Sequence, residues 1–149
     1  MGSCPLFDKE SMMKKIVVIF KLLFLVYVSA VFFLCLYTFK DTGIDLSLYF
    51  FGIRADRIAH FIMFLPYPFL AWHAIEGWFK KVFGRYDIAM LVLSGIMLAL
   101  VAETLQNLNP NRDFDPADIL ANITGVLAGT ILLLIFNTIV KHVWPGRLQ

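Results

Sequence analysis

The side chains best suited to chemistry lie in two short stretches of this 149-residue chain. One is "DRIAH" at 56–60, and the other is "ETLQNLNPNRDFDPADILAN" at 103–122. His60 and Glu103 are candidates for a general acid–base pair, and arginine forks suit a phosphate or a carboxylate. The candidate ligand-binding residues are Asp56, Arg57, His60, Glu103, Gln106, Arg112, Asp118 and Asn122.

The segments that must hold these residues are strongly apolar. Hydrophobic residues make up 60% of the chain, charged residues 16%, and the mean hydropathy is +0.77. Soluble domains are about 45–50% apolar and about 25% charged, so this composition predicts a membrane protein. Four runs have the length of a transmembrane helix, at about 16–39, 54 or 58 to 75, 88–108 and 119–140. The predicted fold class is an all-α, integral-membrane four-helix bundle.

The basic residues predict the orientation of these helices. With the N-terminus inside, the cytoplasmic segments hold nine of them: Lys9, Lys14, Lys15, Lys21, Lys80, Lys81, Arg85, Lys141 and Arg147. The outer segments hold four: Lys40, Arg54, Arg57 and Arg112. This bias fits the positive-inside rule with both termini in the cytoplasm. The predicted location is a bacterial inner membrane, crossed several times.

That orientation brings three polar clusters to the outer face. Asp56, Arg57 and His60 begin the second helix, Glu103 and Gln106 end the third, and Asp118 and Asn122 begin the fourth. The spacing of four, three and four residues also predicts one stripe on the fourth helix, formed by Asp118, Asn122, Gly125 and Gly129. Small residues let a neighbouring helix approach closely, so Asn122 is expected to face protein instead of lipid.

Several of these residues have a simpler structural interpretation. Asp115 before Pro116 is typical of a helix start, so we expect it to act mainly as a cap. Asp118 could favour the helix dipole from the same turn, and Asp56 could cap the second helix. His73 is expected near the cytoplasmic interface. Pro66 and Pro68 should kink the second helix, and the bend could open space below His60.

Three motifs in order resemble the VanZ-like family of bacterial membrane proteins, named for a teicoplanin-resistance protein. They are "DRIAHF" at 56–61, "ETLQ" at 103–106 and "PNRDFDPADILANITG" at 110–125. Arg57 stands where the family pattern has lysine, which keeps the charge but changes the hydrogen-bond geometry. The resemblance spans roughly residues 50–130. It implies a helical membrane fold. We expect the VanZ-like four-helix domain over 16–140, and the charge bias predicts a cytoplasmic N-terminal segment at 1–15 and a cytoplasmic tail at 141–149.

Three functions are compatible with these observations. The first is a cell-envelope protein whose outward polar pocket binds an anionic lipid or a lipid-linked precursor. The second is an enzyme acting on a lipid head group, with His60 and Glu103 as acid and base, or with Asp56, His60, Glu103 and Asp118 around a divalent metal. The third is a small assembly protein. No known metal-ligand spacing is present, so the sequence predicts no metal and no cofactor, and without a basic face it predicts no nucleic-acid partner.

Overall fold

The structure is a computed structural model that describes residues 9–36, 49–50, 52–106 and 115–143, and helices account for almost all of them. The helices are α1 (Lys9–Leu36), α2 (Ala55–Phe64), α3 (Tyr67–Phe83), α4 (Asp87–Gln106) and α5 (Pro116–Val143). A 3-10 turn at Gly84–Tyr86 joins α3 to α4. A two-stranded hairpin, β1 (Tyr49–Phe50) and β2 (Ile53–Arg54), precedes α2. The prediction of an all-α fold is confirmed.

Three segments are long and apolar enough to cross a membrane: Met12–Leu36, Ala55–Gln106 and Pro116–Val140. Their mean hydropathies are 2.7, 2.2 and 2.3. Lipid offers no hydrogen-bond partners to the backbone, and a helix satisfies its backbone hydrogen bonds internally. The middle segment covers 52 residues and contains α2, α3 and α4.

The predicted second helix is kinked where the prolines stand. α2 ends at Phe64 and α3 begins at Tyr67, and neither Pro66 nor Pro68 has an N–H to donate to the preceding turn. The path stays helical, because Leu65 N donates to Phe61 O at 3.0 Å and Leu70 N donates to Pro66 O at 3.1 Å. The predicted kink is confirmed. The predicted end at residue 75 is wrong, since α3 continues to Phe83.

α1 packs against α2 and α3 in the opposite direction. The Tyr27 hydroxyl donates to Met63 O at 2.8 Å, and the ring of Phe24 lies 5.9 Å from that of Tyr67. Further along, Phe20 stacks on His73 with 4.8 Å between ring centroids. His73 is therefore half-buried in an aromatic contact between two helices. Its proximity to the cytoplasmic interface stays a prediction.

α4 runs back along α3 and opposite to α5. Tyr67 at the start of α3 donates its hydroxyl to Ser94 Oγ at 2.9 Å, well along α4. Near the α4 C-terminus, Glu103 contacts Asp115 at the start of α5. Gly95, earlier in α4, leaves room for Tyr67 and Val126, since a Cβ there would lie 2.8 Å from each.

α2 and α5 lie side by side and run in the same direction, along a contact that we call the α2–α5 seam. A Cβ on Gly125 would lie 2.5 Å from Phe61 O, and a Cβ on Gly129 would collide with Leu65 O. Only glycine allows the backbones to approach this closely. The predicted stripe on the fourth helix is confirmed, because Asp118, Asn122, Gly125 and Gly129 are all buried.

The interior is small, and the outer surface is apolar. Buried apolar side chains form one cluster: Val31, Cys35, Phe64, Tyr67, Ala71, Trp72, Leu91, Ala99, Ala102, Val126 and Leu133. Large apolar side chains are exposed along α1 and the second half of α5, including Val26 at 65% and Ile131 at 58%. An exposed apolar surface of this extent is expected where the solvent is lipid.

Candidate functional site

The polar residues gather where α2 and α5 begin and α4 ends. α5 starts as predicted, with Asp115 as the N-cap residue and Pro116 at the first helical position. The hairpin before α2 turns at Gly52, whose φ of +80° favours glycine, and it pairs Tyr49 with Arg54. These two features place Arg54 and Asp115 next to each other, although 61 positions separate them in sequence.

Two arginines share one carboxylate oxygen at the surface of the site. Arg54 Nη1 and Arg57 Nη2 lie 3.3 and 3.2 Å from Asp115 Oδ2. Arg54 also lies 3.7 Å from Asp56. The two side chains remain 35% and 37% exposed, so each guanidinium is held in place and still accessible. We call Arg54 and Arg57 the guanidinium pair.

Asp115 connects this pair to α4 and α5. Its Oδ1 accepts from Ala117 N at 2.9 Å, so the predicted cap is confirmed. Its own N–H donates to Glu103 Oε1 at 3.4 Å. The Ala117 N–H and, next, the Arg57 guanidinium hold the pKa of Asp115 below its ordinary value. Asp115 is therefore an ionised carboxylate with more than a capping role.

His60 is the centre of the buried layer beneath the guanidinium pair. Its Nδ1 lies 3.1 Å from Asn122 Oδ1, and its Nε2 lies 3.8 Å from both Asp56 Oδ1 and Asp118 Oδ2. His60 is 4% exposed, Asp118 5% and Asn122 fully buried. Nδ1 therefore faces an amide oxygen that can only accept, and Nε2 faces the two carboxylates.

Three buried polar atoms of this layer have no hydrogen-bond partner within the described part of the chain: Arg57 Nε, Asp118 Oδ1 and Asn122 Nδ2. Arg57 Nε and Asp118 Oδ1 lie 4.0 Å apart, beyond hydrogen-bond distance. An unsatisfied buried group costs about 1–3 kcal/mol, and more if it is charged. Such atoms are therefore expected to face a further binding partner.

The convergence predicted from sequence is present for the described residues. Asp56, Arg57, His60, Asp118 and Asn122 lie in one connected group, and Glu103 joins it through Asp115. Glu103 and Gln106 are buried, at 1% and 5% exposure. Arg112 lies outside the described residues, so its meeting with Glu103, His60 and Asn122 stays a prediction. Whether any of these residues binds a ligand or acts in catalysis also stays a prediction.

The sequence did not identify Arg54 as a residue of the site. It predicted Asp115 as a helix cap but not as the shared partner of two arginines. Arg54 was counted only as an outer charge, yet it is three residues before Arg57, a spacing that places both on one side where a helix begins. Asp115 precedes Asp118 by the same spacing. This repeated spacing was an available signal, but only the folded chain shows that the two pairs oppose each other.

An apolar groove lies further along the α2–α5 seam, beside the proline kink. It has a volume of about 440 Å³, and His60 is not among its lining residues, so the space expected below His60 stays a prediction. Its lining residues are Leu65, Pro66, Phe69, Gly129, Leu132, Leu133 and Phe136. The seam therefore joins a polar end to an apolar groove.

Comparison with known proteins gives one match. The model of a family described as VanZ/LLP1 matches residues 6–137, which is most of the chain and more than the motifs alone had covered. No curated protein and no solved structure matches. Together with the three membrane-crossing segments, the match identifies an integral membrane protein.

Proposed function

The chain belongs to the VanZ/LLP1 family, and from that premise we propose that it is a cell-envelope protein that binds an anionic lipid or a lipid-linked precursor. The phosphate of the head group would bind to the guanidinium pair, and an acyl or prenyl chain would occupy the groove along the α2–α5 seam. The family description does not itself specify a ligand, so the proposal depends on the site.

The observation that carries the proposal is that these two surfaces lie along the same pair of helices, α2 and α5. Arg54 and Arg57 lie at the start of α2, and the groove begins at Leu65, directly after the end of α2. Asn122 and Gly129 are seven residues apart on α5, which is roughly 10 Å along a helix. An amphipathic lipid likewise has a charged head group at one end and an apolar chain beyond it.

The chemistry of the head-group end suits phosphate. Guanidinium groups bind phosphate oxygens through two parallel hydrogen bonds, and the Asp115 carboxylate already fixes both groups side by side. Asn122 Nδ2 supplies a neutral donor without a partner among the described residues. Gln106 and Arg112, the remaining candidates from sequence, would complete the head-group end.

The proposed topology has four spans with both termini in the cytoplasm of a bacterial inner membrane. Two features support it: α3 and α4 run in opposite directions on either side of Gly84, and basic residues are in excess at that turn and at the termini. Reporter fusions after Gln149 and within 80–85 should both report the cytoplasm. A periplasmic signal at either position contradicts the topology.

Lipid binding can be measured by native mass spectrometry of the protein in nanodiscs, with phosphatidylglycerol as the anionic probe and phosphatidylcholine as the neutral one. We expect selective retention of phosphatidylglycerol and a loss of about tenfold or more in Arg57→Gln, since a hydrogen bond to a charged group contributes about 1.5–3 kcal/mol. Arg54→Gln should act in the same direction.

Arg85→Gln is the matched control, because Arg85 is exposed at the opposite end and should leave retention unchanged. Equal retention of both lipids, or equal loss in Arg57→Gln and Arg85→Gln, contradicts the proposal. A polar cluster that serves only to hold helices together, as in an assembly protein, would give that result.

An enzyme acting on the head group is the second candidate. The observation that favours it is a histidine between two carboxylates, Asp56 and Asp118, directly beneath the guanidinium pair. Turnover of lipid phosphates by the purified protein distinguishes catalysis from binding alone.

A further inference from the structure

We propose that Asp56, His60 and Asp118 bind one divalent transition-metal ion. One ligand atom from each residue lies within 4.8 Å of the other two, and His60 Nε2 is 3.8 Å from each carboxylate. Asp56 and His60 share one face of α2 at a spacing of four residues, and Asp118 faces them from α5. The ion would therefore hold the two helices together where the α2–α5 seam begins.

The orientation of His60 supports a metal ligand. Its Nδ1 lies 3.1 Å from Asn122 Oδ1, which can only accept, and its Nε2 faces two carboxylates. Two carboxylates around one ring nitrogen favour a cation at that nitrogen, and a metal ion would supply it. Histidines that bind metals almost always donate their other ring hydrogen to an oxygen in this way. Asn122 is thus a positioning residue for the proposed site.

The spacing of the ligand atoms requires only a small adjustment. Two ligands about 2.1 Å from a tetrahedral metal ion are about 3.4 Å apart. The nitrogen–oxygen distances of 3.8 Å exceed this by a few tenths of an ångström. Rotation of the two aspartate side chains would have to close that gap and also bring their two oxygens, which lie within 4.8 Å of each other, to the same spacing.

The charge around His60 also favours a cation. The described site contains four carboxylates, of Asp56, Glu103, Asp115 and Asp118, and two guanidiniums, of Arg54 and Arg57. Among the described residues the carboxylates of the site therefore outnumber the guanidiniums. Asp118 Oδ1 is an independent indication, because it is buried and has no hydrogen-bond partner among the described residues. The competing cation is Arg57, whose Nε lies 4.0 Å from that oxygen.

The donor set selects the class of metal. One imidazole and two carboxylates suit Zn²⁺ or Mn²⁺, whereas Mg²⁺ and Ca²⁺ prefer oxygen ligands throughout. Three protein ligands would leave a further position open, on the side of the guanidinium pair. This proposal does not depend on lipid binding, although a metal ion would add to the positive charge that a phosphate meets.

The test is metal binding by the full chain in nanodiscs of phosphatidylcholine, so that failure of the anionic-lipid proposal cannot affect it. Elemental analysis should find about one Zn²⁺ or Mn²⁺ per chain after removal of excess metal, and calorimetry should show at most weak binding of Mg²⁺. Co²⁺ should give visible absorption bands of an ion bound to nitrogen and oxygen.

His60→Gln, Asp56→Asn and Asp118→Asn should each lower the affinity at least tenfold. Asn122→Ala should lower it about 10–100-fold, as expected for a residue that orients a ligand. His73→Gln and Glu76→Gln are matched controls away from the site and should bind normally. Because a site variant can fail to fold, the wild-type chain must also show a rise in melting temperature with Zn²⁺ or Mn²⁺.

Two results overturn the proposal. One is a folded wild-type chain that neither retains Zn²⁺ or Mn²⁺ nor gains melting temperature from them. The other is equal binding by the wild-type chain and by folded His60→Gln and Asp118→Asn.

Discussion

The two ends of the helices that hold the site use charged residues in opposite ways. Where α2 and α5 begin, two ion pairs join residues 58 and 61 positions apart, and several of the polar groups are buried. At the α3–α4 turn, Lys80 pairs with Glu76 within one helix, and Arg85 contacts its neighbour Tyr86. Those groups are exposed.

The difference is between charges that remain in contact with solvent and charges that require a specific tertiary structure. Exposed pairs four residues apart in one helix contribute about 0.3–0.5 kcal/mol and need no tertiary structure. Buried charges cost several kcal/mol to remove from water, and only well-placed partners offset that cost. In the described part of the chain, the buried ionisable groups His60, Glu103 and Asp118 lie at one end. That end is therefore committed to a defined arrangement, which is a reason to place function there.

The largest effect is expected from breaking the backbone contact that positions the buried end. Gly129→Ala should destabilise the protein by about 1–3 kcal/mol, because its Cβ would collide with the Leu65 carbonyl oxygen. Gly77 in α3 is the matched control, since a Cβ there meets nothing within 4 Å. Gly77→Ala should stabilise by about 0.5–1 kcal/mol through helix propensity. Unfolding in detergent measures both, and a similar effect of the two changes contradicts the close approach at the seam.

A smaller effect is expected from removing one cation at each end. Arg57→Met leaves Asp115 with one guanidinium and removes the cation nearest Asp118 Oδ1. Since Arg57 is 37% exposed, we expect a cost of about 1–2 kcal/mol, in the lower part of the range for charged hydrogen bonds. Lys80→Met should change stability by no more than about 0.5 kcal/mol. Equal costs in chemical unfolding would show that the two ends do not differ energetically.

Glu103→Gln is expected to have the smallest effect on stability. It should nevertheless have a large effect on function. The amide oxygen of glutamine can still accept from Asp115 N, so the level of protein in the membrane should be unchanged. The lost negative charge should abolish complementation of a deletion strain under envelope stress. Glu76→Gln is the control and should complement fully. Full complementation by Glu103→Gln would limit Glu103 to holding the start of α5.

The sequence predicted the helices better than their contacts. Hydropathy located the long apolar segments. Residue chemistry located the Asp115–Pro116 start of α5 and the kink at Pro66, because each depends on local chemistry. The stripe from Asp118 to Gly129 followed from helical spacing alone. Arg54 was missed because its position depends on the hairpin turn at Gly52, and the sharing of Asp115 depends on how α2 and α5 are rotated about their axes. Periodicity carries no information on that rotation.

The parallel packing of α2 and α5 has a consequence for how the protein is made. Arg57 and His60 leave the ribosome before their partners, since Asp115 follows Arg57 by 58 positions and Asn122 follows His60 by 62. At roughly 5–20 residues per second, this delay is roughly 3–12 s. During that time Arg57 and His60 lack their partners on α5. In the proposed topology the first two turns of α2 lie at the hydrated interface, where such groups can remain until α5 is inserted. The timing of synthesis would then restrict how deep in the membrane such a site can lie.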